Sequence, residues 1–199
     1  ETDEDVVAIA ELAEKVLRIW KANAKNKSRG VRITVSTSCF VPKPHTPFQW
    51  EGQITMEEYM RRVNLLRSSL KSKAITYNWH DPETSFIEAV LSRGDRRLGA
   101  VIEDVWRHGG RLDSWGEHFS FARWQDSFAR CGIDPCYYAN REIGEDEILP
   151  WSVTSTGVKD EYLLKERHTA KKGEITPDCR RQCTLCGASG LYTGGNCDE

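Results

Sequence analysis

The chain has no long apolar run and little excess charge of either sign. Its 199 residues carry a formal net charge of −2 at pH 7, and 39% of them are hydrophobic. A protein that binds mainly by wrapping phosphate backbones needs a larger positive excess, although a local basic patch stays compatible with this balance. No apolar segment is long enough to cross a bilayer, and acidic residues 1–5 do not resemble an export signal. We therefore predict a cytoplasmic globular protein with one large or two small domains.

The N-terminus has no initiating methionine and opens on a helix-start signal. Thr2 and Asp5 have the spacing of a capping box, with aspartate in place of glutamate. Apolar residues then recur at helical spacing: Val6, Ile9, Ala10, Ala13, Val16, Leu17 and Trp20. This pattern predicts an amphipathic helix of about five turns. We expect the chain to be a segment of a longer polypeptide.

The rest of the chain is organised around residues 31–53. The first half alternates polar residues with β-branched apolar ones, which predicts a strand with one buried face: Val31, Ile33 and Val35. The second half is a stiff extended loop, because three prolines remove amide donors and fix φ: Pro42, Pro44 and Pro47. This loop presents cationic, imidazole, hydroxyl and amide groups beside aromatic rings, which suits recognition. Alternatively, its aromatic side chains only cap a core.

The remaining pattern alternates helices with one more strand. Thr55 and Glu58 form a capping box, residues 74–79 form a strand, and Asp81 with Pro82 starts the next helix. Apolar stripes predict three further helices, beginning near residues 98, 121 and 159, with an irregular stretch over 133–156. The order of helix and strand around residue 31 is half of a parallel βα repeat.

Three of the seven cysteines lie close together in the tail, with a fourth further on: Cys179, Cys183, Cys186 and Cys197. In a chain without an export signal, this clustering favours metal ligation. The run from Cys183 to Gly187 resembles a zinc knuckle, and thiolate ligation suits zinc or an iron-sulfur cluster. The alternatives are unligated buried thiols or one disulfide. His168 is a substitute fourth ligand, although a lone histidine on a lysine-rich helix is usually solvated.

Two other groups of charged residues could carry chemistry. The first contains carboxylates, arginines and a histidine that could do acid-base work, but salt-bridged helix ends are the favoured account: Arg93, Asp95, Arg96, Arg97, Asp113, Trp115, Glu117 and His118. The second, residues 140–142 and 145–147, is interpreted as solvated loop charges.

Several stretches together resemble one family. Residues 38–50 read Ser-Cys-Phe-Val-Pro-Lys-Pro-His-Thr-Pro-Phe-Gln-Trp, which resembles the strand-six signature of an uncharacterised group of bacterial radical S-adenosylmethionine enzymes. That group often carries an N-terminal cobalamin-binding-like domain. Thr46-Pro47 is similar to a shorter pattern in methylthiotransferases of the wider superfamily. Other stretches that resemble the group are residues 1–5, 93–98, 113–119, 138–141 and 176–179.

The resemblance implies that the chain is the C-terminal part of such an enzyme. The parent would bind a [4Fe-4S] cluster and S-adenosylmethionine, with cobalamin as a further candidate, and would make a 5′-deoxyadenosyl radical. The implied fold is α/β and predominantly helical, with the last βα part of a partial TIM barrel. The loop after strand six would face the barrel mouth and help to enclose cofactor or substrate, through Ser36, Ser38, Lys43, His45, Thr46, Phe48 and Gln49.

This sequence departs from the family pattern in one important respect. The three cluster cysteines of the first barrel strand are absent, and the tail cysteines, despite a similar spacing, follow the last helix. We therefore expect this segment not to catalyse alone, and its main partner would be the N-terminal remainder of the parent. The substrate is unknown, with RNA as one candidate. The tail cysteines would hold a second centre, either zinc or an auxiliary cluster.

The resulting organisation has three parts. Residues 1–92 would form the C-terminal part of the barrel, residues 93–178 a helical accessory region, and residues 179–199 the metal-binding tail. A few strands cannot close a barrel, so either partner contacts or an independent helical body must protect the open sheet edge. The alternative function is a non-catalytic zinc-knuckle module that binds RNA or a protein partner, through cations near the knuckle: Lys171, Lys172, Arg180 and Arg181.

Overall fold

A computed structural model describes residues 1–28 and 30–191, in two compact units that alternate along the sequence. The first unit contains Glu1–Phe40 and Ile54–Phe86, and the second contains Val41–Gln53 and the chain from Ile87 onward. The proline-rich loop therefore belongs to the second unit, although the strand before it belongs to the first. The proposed parts 1–92, 93–178 and 179–199 stay a prediction.

The first unit is a small α/β layer. Its elements are α1 (Asp3–Asn23), β1 (Ile33–Thr37), α2 (Met56–Ser69), β2 (Ile75–Trp79) and the start of α3 (Pro82–Arg93). The predicted capping box of α1 is confirmed, because Thr2 Oγ1 accepts from the Asp5 amide at 3.3 Å and the Thr2 amide donates to Asp5 Oδ2 at 2.8 Å. The predicted start of α3 is confirmed as well, since Asp81 Oδ1 accepts from the Thr84 amide at 2.8 Å.

Strands β1 and β2 pair in parallel, with α2 as the crossover helix. One face of this sheet packs on α1 and α2, where Val35 and Tyr77 contact the buried residues Val6, Ala10 and Leu66. The alternation predicted for β1 is confirmed, because Ile33 and Val35 are half-buried while Thr34 and Ser36 are exposed. The buried stripe of α1 is narrower than predicted, since Ile9 and Val16 are exposed.

Farther along the sheet, the buried ring of Tyr59 lies with Cys39 and Val63 against Trp79. The Tyr59 hydroxyl donates to the carbonyl of His80 at 3.1 Å. Burial raises the pKa of Tyr59 to about 12. This hydroxyl therefore stays protonated and keeps its bond to the main chain at the end of β2.

The second unit is helical. It contains the rest of α3, then α4 (Leu98–Arg107), α5 (Phe121–Cys131), α6 (Pro135–Ala139), α7 (Asp160–Lys171) and a short 3₁₀ turn (Ala188–Leu191). The three predicted helices are confirmed, but α6 interrupts the stretch that was predicted to be irregular. In the predicted α4 stripe, Leu98, Val101 and Val105 are buried, whereas Ile102 and Trp106 are exposed.

The hydrophobic core that includes Trp50 of the proline-rich loop lies in this second unit. Trp50 packs with Ile143, Leu149 and Leu163, and Trp151 covers the cluster from the side. The chain is thus α/β and mostly helical, as predicted. No helix in the described ranges has both the length and the apolar character needed to span a membrane.

Candidate functional site

The predicted site residues fall in both units. Ser36 lies near the carboxyl end of β1 and Ser38 follows that strand, and both side chains are exposed. Ser36 is directly opposite Asn78 of β2 in the parallel register. The other predicted residues of this set lie on the proline-rich loop of the second unit.

Two side chains of that loop are tied to the second unit. The Lys43 ammonium donates to Glu88 and, at 3.2 Å, to Ser92, both on α3. His45 has a left-handed backbone with φ 57°, a rare conformation for a side chain with a Cβ, and its Nε2 lies 2.9 Å from Thr154 Oγ1. The loop is therefore fixed in a strained conformation, as is common where side chains are positioned for recognition.

The centre of the loop is organised by Gln49, which is buried. Its Oε1 accepts from the His45 amide at 2.8 Å and from Trp151 Nε1 at 2.7 Å. Both partners can only donate, so the orientation of the amide is fixed. Thr46 closes the turn through a bond from its hydroxyl to the Lys43 carbonyl at 2.7 Å, and Phe48 is half-buried. Gln49 thus acts within this unit as a bridge between the loop and the segment around Trp151.

The far end of the loop is held by a buried cation that the sequence analysis missed. The side chain of Arg167 on α7 is only 4% exposed, and its Nε donates to Glu51 at 2.6 Å. The rest of its guanidinium group bonds to Glu142 and Glu145. Lys171, one turn later, lies 2.9 Å from the same Glu51 oxygen. Glu142 and Glu145 are exposed loop residues, as interpreted, but both also pair with Arg167, which the sequence did not predict.

The ionisation of this cluster follows from its contacts. Burial alone would raise the pKa of Glu51, but the hydrogen bonds from Lys171 and Arg167 outweigh it, so this pKa is lowered. The hydrogen bond with His168, supported by Arg167, lowers the pKa of Glu145. The signal available in the sequence was the position of Arg167, four residues after the buried Leu163 and hence on the core side of α7.

A second buried arginine lies among the residues considered for acid-base work. Arg93 donates to the carbonyls of Tyr138, Ala139 and Arg141, which end the short helix α6. Burial lowers the pKa of this guanidinium to about 10. Arg93 therefore has a structural role at the end of α6.

Two carboxylates of that group also make structural contacts. Asp95 pairs with Arg97, whose hydrogen bonds lower the pKa of Asp95 to about 2. Asp113 accepts from Trp124 Nε1 at 2.9 Å, which fixes the preceding turn on α5. Salt bridges and helix ends thus account for these two carboxylates.

Two of the tail cysteines, Cys183 and Cys186, lie in the predicted knuckle, residues 183–187. The amide of Leu185 points at Cys183 Sγ from 3.5 Å, and both Leu185 (φ 60°) and Gly187 (φ 92°) have left-handed backbones. The carbonyl of Cys186 accepts from the Lys159 amide at 2.9 Å, where α7 begins. An amide aimed at sulfur and a glycine after the second cysteine are what a two-thiolate knuckle requires.

The ligand set is incomplete in the described part of the chain. Within residues 1–28 and 30–191, no three histidine, cysteine or carboxylate side chains are grouped as metal ligands would be. Cys179 is exposed, Cys183 and Cys186 are half-buried, and none of the three forms a disulfide within those ranges. Cys197, the fourth predicted ligand, lies outside the described residues. The substitute ligand His168 is hydrogen-bonded through Nε2 to Glu145 Oε1 at 2.8 Å.

A cleft of about 370 Å³ adjoins the knuckle. Lys165 and Thr169 of α7 line one side, and Cys183 lines another. Two large apolar side chains at its lip, Ile175 and Leu185, are exposed. The knuckle thus lies at the surface of the second unit.

Comparison with known proteins adds little. No family model matches the chain, and no solved structure matches it significantly. An uncharacterized protein of Methanocaldococcus jannaschii is 27% identical over 103 residues, which is 52% of this chain and 20% of that protein. The chain thus spans about a fifth of that relative's length. At this identity and coverage the match establishes no family.

Proposed function

We propose that this chain is the C-terminal part of a cytoplasmic radical S-adenosylmethionine enzyme. The observation that carries the proposal is the parallel β1–α2–β2 unit, from which residues 38–50, with the strand-six signature, leave at the carboxyl end of β1. Carboxyl ends of parallel strands are where barrel enzymes bind substrates and cofactors. The two-stranded sheet would be the last part of a partial TIM barrel, and the remainder of the parent would supply the other strands.

The residues of this segment would help to bind and enclose the cofactor or substrate, and the radical chemistry would come from the cofactors of the parent. When bound there, a [4Fe-4S] cluster and S-adenosylmethionine supply an electron and a 5′-deoxyadenosyl radical. Ser36 and Ser38 would offer hydroxyls from the strand end. His45 and Gln49, fixed by their contacts with Thr154 and Trp151, would hold the proline-rich loop in shape.

The test uses the full-length parent, reconstituted with iron and sulfide and reduced in the absence of oxygen. We expect reductive cleavage of S-adenosylmethionine, measured as 5′-deoxyadenosine by chromatography. A fully loaded, reduced sample that forms none would refute the proposal. The substrate, including RNA, and any cobalamin would be identified only with that parent.

We also propose a metal at the tail cysteines, with Cys179, Cys183, Cys186 and Cys197 as ligands. The amide aimed at Cys183 Sγ supports it. The test is the metal and sulfide content of the chain purified without oxygen, with a visible spectrum. About one zinc per chain would indicate a structural site, whereas iron, sulfide and brown absorbance would indicate an auxiliary cluster. A metal-free chain would exclude both.

The knuckle also supports the second candidate function, a zinc module that binds RNA or a protein. Of the cations near it, Lys171 is held by Glu51, whereas Arg180 is largely exposed beside Asp178. RNA binding would then depend on Arg180 and Arg181. The slope of log affinity against log salt concentration should fall by roughly one unit per phosphate contact removed. RNA affinity that stays the same in the Arg180→Ala, Arg181→Ala double variant would exclude this RNA-binding mode.

A further inference from the structure

The uncovered face of the β1–β2 sheet is polar. Its residues form two pairs in register, Thr34 with Thr76 and Ser36 with Asn78, and all four side chains are exposed. Parallel sheets are usually covered on both faces and apolar on both. A parallel sheet whose second face carries only hydroxyls and an amide over these pairs is suited to a polar cavity or a ligand, and not to another layer of core.

The same face continues past the strand ends to Ser38 and His80. The His80 amide donates to the carbonyl of Thr37 at 3.1 Å, and the His80 carbonyl accepts from the Tyr59 hydroxyl at 3.1 Å. The main chain of His80 is therefore fixed on both sides, while its imidazole is exposed. Imidazole can both donate and accept hydrogen bonds.

The chemistry of this edge indicates what it could bind. Hydroxyls, an amide and an imidazole carry no fixed charge, and the neighbouring carboxylate of Asp81 is occupied as the cap of α3. Arg32 precedes the opposite, amino end of β1. These four side chains therefore provide hydrogen bonds for an uncharged polar group, and none of them is a permanent cation that would neutralise a phosphate.

We propose that Asn78 and His80, together with Ser36 and Ser38, bind an uncharged, hydroxyl-bearing ligand group such as the sugar of a nucleoside. Ligands of parallel α/β folds bind at the carboxyl ends of adjacent strands, and these four residues occupy that position on both strands. The inference rests on the proposed function, because it adds a second strand to the same substrate-facing edge. It assigns a role to β2, which the strand-six resemblance does not include.

The test uses the isotope-labelled full chain, with uridine as a neutral probe and uridine monophosphate as its charged counterpart. Uridine should cause saturable shifts in the Asn78 side-chain amide and the His80 imidazole resonances. Asn78→Ala and His80→Ala should each weaken binding about fivefold, which corresponds to one lost hydrogen bond. His108→Ala changes an exposed histidine of the second unit and should leave binding unchanged.

Three results would overturn the inference: no saturable shift at Asn78 and His80, unchanged affinity in folded variants at both positions, or tenfold tighter binding of the monophosphate. An unaltered amide spectrum away from the substitution shows that each variant is folded. The experiment needs neither cluster nor S-adenosylmethionine. Its failure is thus distinguishable from a failure of the parent to form 5′-deoxyadenosine.

Discussion

Replacing Arg167 by methionine should destabilise the second unit far more than replacing a surface arginine. The substitution keeps an apolar stem but removes the cation that bonds to Glu51, Glu142 and Glu145. Lys171 stays, 2.9 Å from Glu51 and 3.6 Å from Glu142. Glu51 and Glu142 would then share Lys171, and Glu145 would keep only its hydrogen bond with His168.

The magnitude follows from burial. Removing one partner of a buried ion pair costs about 3–5 kcal/mol. The Arg167 side chain is 4% exposed, but Glu142 and Glu145 are 60% and 40% exposed, so water takes over part of their solvation. We therefore expect the lower end, about 3 kcal/mol of unfolding free energy. Arg167→Lys keeps the charge without the planar fork and should cost about half as much.

The assay is urea unfolding at pH 7, followed by tryptophan fluorescence, with Arg107→Met as the control. Arg107 forms an exposed pair with Glu103, so its loss should change stability by about 0.5 kcal/mol or less. The folded-state pKa values of Glu51 and Glu145 are lowered, so their contribution is present above the unfolded pKa of about 4.3 and is lost as pH falls. The difference between wild type and Arg167→Met should therefore narrow below about pH 4. Equal effects of the two substitutions at pH 7 would refute the reasoning.

Three further predictions concern single residues. Arg93→Met leaves buried carbonyls without their donor and should lower the free energy of unfolding in urea by about 3 kcal/mol. A decrease below about 1 kcal/mol would contradict the role of Arg93 at the end of α6. Gly132→Ala, at φ 64° with open space around the site, should cost only the left-handed conformation, about 1 kcal/mol in the same assay, and a neutral result would contradict this. The absorbance difference between wild type and Tyr59→Phe should show a phenol that titrates near pH 12. The contribution of Tyr59 to stability is therefore full below about pH 10 and is lost as pH rises. A midpoint near 10 would show that Tyr59 is not buried.

The parts of the fold that could be predicted from sequence depend on neighbouring residues. The capping box at Thr2 and Asp5 and the Asp81 cap are local hydrogen bonds, so their spacing is visible in the chain. The alternation in β1 reports burial of one face and was confirmed. Ile9 and Ile102 show the limit, because periodicity identifies the apolar side of a helix but not how much of it a neighbour covers.

The candidate site was less accessible to such reasoning. The loop after β1 was recognised from its prolines, but its partners lie far along the chain, and no local pattern identifies Trp151 as the donor to Gln49. Arg167 could not be recognised for the same reason, because its carboxylate partners Glu51, Glu142 and Glu145 lie in other segments of the chain. The turn over residues 183–187 is local, so a left-handed Gly187 could be expected from the sequence, whereas a metal at the cysteines stays a prediction.

The alternation of the two units has a consequence for biosynthesis. Glu51 and Arg167 are 116 positions apart, and Gln49 and Trp151 are 102 apart. During translation the proline-rich loop leaves the ribosome long before its partners exist, whereas α1, β1, α2 and β2 can already pair. Contacts of such long sequence separation form slowly. Until α7 emerges, Trp50 has no core to enter, and a nascent chain halted at that stage would present an unfinished loop to chaperones and proteases.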